Sequence, residues 1–222
     1  ATNNVYKFAL CNDADCATPA IGALTGLSAS GVLGSDIAAA RNRTLPLPRF
    51  AVIAQDNSVR LVSCSTVNCS AFTATTVSTA ADAMPPLAMT TQRVGGTERH
   101  WVTYGRSSYQ GLVHCLDPAC VSRSTISGAT IGGAVGGVAL AVLRQGVPIL
   151  VASRFSTALL TALNFVNASG ADISNTLSGA SAGGGPVEMV RLSGGGQGIF
   201  YYNNATQDLM YLRCKRDNCS EL

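Results

Sequence analysis

The cysteine pair in "CNDADC" (11–16) returns three times, as "CSTVNC" (64–69), "CLDPAC" (115–120) and "CKRDNC" (214–219). First cysteines lie 53, 51 and 99 residues apart, so the last gap is close to two periods. Midway through that gap, "LLTALNFVNAS" carries Asn164 and Ser169 where a pair would stand. A period near 50 that runs through all 222 residues marks a repeat architecture, in which each unit buries its apolar face against its neighbours. All 8 cysteines belong to these pairs. Every other expectation has to fit that spacing.

The internal order of a repeat is plainest in the third copy, as "PPLAMTTQR", "ERHWVTYGR", "GLVHC" and "CVSRSTIS". These are short runs rich in apolar, β-branched and aromatic residues, with turn residues between them. Fourteen residues before each first-cysteine position stand Phe50, Trp101, Leu150 and Phe200. That column is apolar in every copy, as expected of a buried strand position. Helical periodicity is absent, and "GASAGGGP" (179–186) suits a loop. The expected fold is all-β, a β-propeller-type repeat of four-stranded antiparallel blades.

A single domain over 1–222 then divides into a half repeat at 1–30, repeats at 31–80, 81–130 and 131–180, and a truncated repeat at 181–222. The half repeat supplies strands three and four, and the last repeat strands one to three, so the blades at both ends are incomplete. Three outcomes are open. The ends share one blade, which leaves one strand too many; they pair with another subunit; or the chain is a piece of a longer array.

The turns "CNDADC" and "CLDPAC" follow C-x-D-x-x-C. With the strands around them they resemble the tandem β-propeller repeats of secreted proteins, one C-x4-C hairpin turn per blade. The turn is similar in position to the sialidase Asp-box, between the third and fourth strands of a blade. The Ser, Gly and Trp of that motif are missing here. The resemblance covers nearly the whole chain and implies a fold rather than a function.

In such a turn the two ends of a hairpin lie close enough to bridge. Disulfides are therefore expected at Cys11–Cys16, Cys64–Cys69, Cys115–Cys120 and Cys214–Cys219, each worth about 2 kcal/mol by loop entropy. Zinc would need four ligands, and each pair offers two, with only His114 close by. A redox C-x-x-C is absent. No metal and no cofactor is expected.

An even cysteine count points to an oxidising, extracellular compartment. Glycosylation sequons stand at Asn42, Asn68, Asn167, Asn204 and Asn218. Asn68, Asn167 and Asn218 fall in the same turn of different repeats, at a tip that would tolerate a glycan. The expectation is a secreted glycoprotein.

With 12% charged and 47% hydrophobic residues, the chain is not disordered. A net charge of +3, with 13 Arg and 2 Lys scattered singly, gives no basis for a nucleic-acid partner. The most apolar stretch, "AVGGVALAVL" (134–143), is too short for a helical membrane span.

Chemistry does not converge in the sequence. A glycosidase needs two carboxylates facing one sugar, and a sialidase-like site would add an Arg cluster and a Tyr nucleophile. Tyr104, Tyr201 and Tyr202 lie on second strands, with no acid recurring beside them. His100 and His114 have no G-x-S-x-G partner, and "GGGQG" (194–198) lacks the Lys-Ser/Thr of a phosphate loop. No catalytic residue is assigned, and the chain is expected not to be an enzyme. The favoured reading is an extracellular structural or assembly module that self-associates as a homo-oligomer or filament through its terminal blades. The alternative is a carbohydrate-binding lectin with a glycan ligand, and a sialidase-like glycosidase ranks third. The second-strand copies "FAVIAQ", "WVTYGR", "LVASR" and "FYYNN" differ in their polar residues, which favours the structural reading over a repeated sugar pocket.

Overall fold

A computed structural model describes residues 5–11, 15–28, 37–41, 47–79, 84–106, 110–129, 135–143, 146–155, 159–165, 172–181, 184–193, 196–216 and 219. The described residues are all-β and contain no helix. Five antiparallel sheets follow one another along the chain. The first is a hairpin of β1 (Val5–Leu10) and β2 (Ala20–Ser28). A four-stranded sheet follows, of β3 (Ile37–Arg41), β4 (Pro48–Ile53), β5 (Val59–Cys64) and β6 (Phe72–Ser78). The next contains β7 (Met84–Val94), β8 (Thr97–Gly105), β9 (Gln110–Cys115) and β10 (Arg123–Ala129). The third four-stranded sheet contains β11 (Val135–Val142), β12 (Pro148–Arg154), β13 (Leu159–Phe165) and β14 (Asp172–Ser181). The last has three strands, β15 (Val187–Arg191), β16 (Gln197–Asn203) and β17 (Asp208–Arg213).

Each sheet is a simple meander, with strands in chain order. Successive sheets pack through their first strands, β3 against β7, β7 against β11 and β11 against β15. The inner strands of the three four-stranded sheets are buried on both faces because each of these sheets is sandwiched between two others, which turns the usual alternation into a continuous buried run. "QGLVHC" in β9 is buried at every position, and "PILVASR" in β12 at all but the last. Four apolar clusters fill the gaps. Tyr6, Leu24 and Leu27 of the hairpin meet Phe50, Val52 and Val62. Ala51, Ile53 and Leu61 meet Val102, Tyr104 and Val113. Trp101 and Leu112 meet Leu140 and Leu150, and Ile149, Val151 and Leu160 meet Val187, Ile199 and Tyr201. Hydrogen bonds also cross these gaps: Tyr6 donates to the Ile53 carbonyl (2.5 Å), and the Tyr104 and Ser78 hydroxyls are 2.8 Å apart.

The apolar column expected at a fixed distance before each cysteine is not one structural position. Val62, two residues before Cys64, lies opposite Phe50. Val113, two before Cys115, lies opposite Val102, the neighbour of Trp101. Leu212, two before Cys214, lies opposite Ile199, the neighbour of Phe200. The reach of the hairpin from second to third strand changes by one residue between repeats, and a one-residue shift turns a side chain to the other face. Phe50, Val102, Leu150 and Ile199 therefore face back towards the preceding sheet, whereas Trp101 and Phe200 face forward. Phe50, Trp101 and Leu150 are buried as expected; Phe200 is 38% exposed.

The two histidines sit on opposite faces of one sheet. His100 lies opposite Cys115, and its Nδ1 is 3.0 Å from the Thr91 hydroxyl. His114 stacks on Trp101, with ring centroids 3.7 Å apart and planes within 3°. Burial, followed by nearby Arg49 for His100 and Arg99 for His114, lowers both imidazoles to about 4. Both rings are neutral in the folded protein at pH 7, whereas an unfolded histidine takes up a proton near 6.5. Their contribution to stability is complete above that value and is lost as pH falls towards 4. The melting temperature should therefore drop between pH 6.5 and 4, and His114→Phe should flatten the drop. A calorimetric profile that stays level across this range contradicts the assignment.

Candidate assembly surface

The four clips span nearly the same distance. Cys11–Cys16, Cys64–Cys69, Cys115–Cys120 and Cys214–Cys219 are disulfides, with Cα atoms 4.6, 4.8, 4.6 and 4.7 Å apart. The second cysteine of each has positive φ, 53° at Cys16, 55° at Cys69, 58° at Cys120 and 53° at Cys219. A left-handed conformation is costly for a residue with a side chain. Here it is held by the crosslink and, in three clips, by a short backbone bond. Cys69 donates to the Thr66 carbonyl (3.0 Å), Cys120 to Asp117 (3.1 Å) and Cys219 to Arg216 (3.0 Å). No glycine or asparagine marks these positions, so the sequence carries no local sign of the twist.

Asp117 caps its clip by accepting from the amides of Ala119 (2.9 Å), Val121 (3.2 Å) and Ser122 (2.5 Å). Partial desolvation pushes its carboxyl upward, and these amides together with that of Cys120 more than offset the push, leaving it below the ordinary value. Asn68 does the same in its own turn, accepting from the Ser70 amide at 3.2 Å. The sheet β11–β14 has no cysteine pair and still forms four strands. A four-stranded sheet therefore forms here without a clip.

Where the clips point is informative. Cys64 and Cys69 pack with Tyr6, Leu24 and Leu27 of the preceding hairpin. Cys115 and Cys120 join Ala51, Ile53 and Leu61 of the sheet before theirs. Cys214 and Cys219 join Ala139, Ile149 and Leu160. All six are at most 3% exposed. Each clip is thus a wedge between its own sheet and the one in front. Cys11 is exposed and Cys16 only partly buried.

The forward face of β15–β17 is open. Phe200 lies opposite Tyr211 on β17 and Glu188 on β15, and Leu209 lies opposite Tyr202. Val190 is 44% exposed, Leu209 74% and Tyr211 48%, and the Phe200 and Tyr211 rings meet at 5.0 Å. An open groove of about 540 Å³ is lined by residues that include Glu188, Phe200, Tyr202, Asn204 and Leu209. Glu188 and the second-strand Tyr202 thus line one groove, in this repeat alone among the described residues. The signal was the strand register, which brings Glu188 across from Phe200.

The other sequence candidates are dispersed. Tyr104 and Tyr201 are buried between sheets. Asp56 is occupied by the Ser58 hydroxyl (2.6 Å) and by Arg60 (2.7 Å), and these partners lower its carboxyl to about 2. Among the described residues no three His, Cys, Asp or Glu side chains gather into a metal set. Asn68 and Asn204 are exposed in turns, while Asn42, Asn167 and Asn218 lie outside the described residues.

No protein-family model matches the chain, and no curated protein is recognisably similar to it. Among solved structures, it is similar to the crystal structure of endo-arabinase from Bacteroides thetaiotaomicron VPI-5482. The TM-score is 0.47 and the identity 10%, over 83% of this chain and 75% of that one. That similarity corrects one expectation. The similar structure is named as that of an enzyme, and the expectation that this chain is not an enzyme is not upheld.

Two measurements probe these contacts. Cys115→Ser with Cys120→Ser should cost about 2 kcal/mol in urea unfolding, the loop entropy of a short ring, and leave the strand spectrum intact. Trp101→Ala should cost about 3–5 kcal/mol, whereas Phe200→Ala should cost under about 1 kcal/mol. Equal losses at Trp101 and Phe200 would contradict the assignment of one to the core and the other to an open face.

Proposed function

We propose that the chain is a secreted, glycosylated module of β-propeller type that builds extracellular assemblies by completing its end sheets in neighbouring molecules. One observation carries the reading. The third strand is buried at every position in β9 and mostly in β5, but β17 is exposed at five of its six. A strand of "DLMYLR" left open on both an edge and a face is a template for further β-structure. Four disulfides suit the oxidising compartment this function needs. The sequons at Asn68 and Asn204 are exposed, as attachment of a glycan requires.

The groove on β15–β17 supports a second reading, a lectin. Tyr202 and Phe200 would offer stacking surfaces to a sugar, and Glu188 and Asn204 polar groups for its hydroxyls.

Light scattering of the protein in non-reducing buffer, beside a glycan array, separates the two. Assembly predicts oligomers or filaments that lengthen with concentration and no array signal. A monodisperse monomer that binds oligosaccharides on the array contradicts assembly and selects the lectin.

A further inference from the structure

Inside the chain three of the four contacts between successive sheets are built alike. The forward face of one sheet receives the back face of the next, with the clip of the second sheet wedged into the gap. Two half-contacts of this kind are left over. Tyr6 and Phe8 turn towards the β3–β6 sheet, so Lys7, Ala9 and Cys11 occupy the back face of the hairpin. Ile21, opposite Ala9, is 65% exposed there. Among the described residues this half has a clip and no sheet packed in front of it. The forward face of β15–β17 is the reverse, a sheet face with Val190, Phe200, Leu209 and Tyr211 exposed and no clip upon it.

We infer that these halves belong to one interface, in which β15–β17 of one molecule receives the β1–β2 hairpin of a second copy, with the Cys11–Cys16 clip seated over Phe200 and Tyr211. The inference rests on the assembly reading and specifies its partner, its surfaces and its polarity. Its argument is continuity, since the new contact repeats the arrangement of three contacts already present in the chain. Charge is compatible: Lys7 and Asp15 are exposed on the hairpin, and Glu188 and Arg213 on the sheet, so each side offers one cation and one anion. The two surfaces differ, so the contact is heterologous, and copies add head to tail rather than as a closed two-fold pair.

Two variants test it, Ile21→Asp on the hairpin face and Tyr211→Asp on the sheet face. Both residues are exposed in the single chain, so each variant should keep the wild-type circular dichroism and melting temperature. A carboxylate buried without a partner in either half should weaken association by at least about tenfold. Each variant alone should run as a monomer in multi-angle light scattering, where the wild type forms oligomers. Mixed in equal amounts they should give a dimer and nothing longer, because each supplies the half that the other has lost. Wild-type-length oligomers from either variant overturn the inference while leaving assembly through other surfaces intact. Dimers from one variant alone overturn the polarity. A wild type that stays monomeric at every concentration overturns both the inference and the assembly reading.

Discussion

Apolar packing between successive sheets, wedged at three of the four contacts by the clip of the following sheet, is the interaction on which the rest of the protein depends. No sheet here is large enough to own a core. A two-stranded or four-stranded meander of this size is marginal until one of its faces is covered, and here the cover is always the neighbouring sheet. Ile53 and Leu61 are buried because Val102 and Tyr104 lie over them, and Ile149 and Leu160 because Ile199 and Tyr201 do. Stability in such a chain is close to a sum of nearest-neighbour terms. It follows that a face without a neighbour stays open, as at Phe200 and Tyr211.

The disulfides make sense within that scheme. A six-residue ring removes little chain entropy, so its worth as a crosslink is modest. Its position matters more. By holding Cys69, Cys120 and Cys219 in the left-handed region, the crosslink fixes a tight turn whose cysteines become part of an apolar interface. The β11–β14 sheet shows that strands can form without it. What that sheet lacks is a clip to press on its predecessor, and larger side chains take up the role, with Trp101 filling the gap to Leu140 and Leu150.

Much of the architecture was legible in the sequence. The recurrence of C-x4-C gave the period, the runs of β-branched and aromatic residues gave four strands to a repeat, and the clipped turn fell between the third and fourth of them. The facing of side chains was less legible. Counting back from the cysteines groups Phe50 with Trp101 and Phe200, yet these point in different directions because hairpin reach varies by one residue. That single-residue difference separates a core residue from an exposed one, and it is invisible until strands are paired. The same holds for Glu188, whose place beside Phe200 and Tyr202 comes from register alone. The expectation of a chain without catalysis rested on acids that do not recur in the sequence, which is a weak ground when function is set by a site rather than by a fold.

Cryo-electron microscopy of the protein under non-reducing conditions tests the central claim most directly. The account predicts extended particles in which the interval between molecules repeats the interval between sheets, with density for the Cys11–Cys16 clip over Phe200 and Tyr211 of the adjoining copy. A compact particle in which a molecule's own hairpin covers its own β15–β17 face would contradict it.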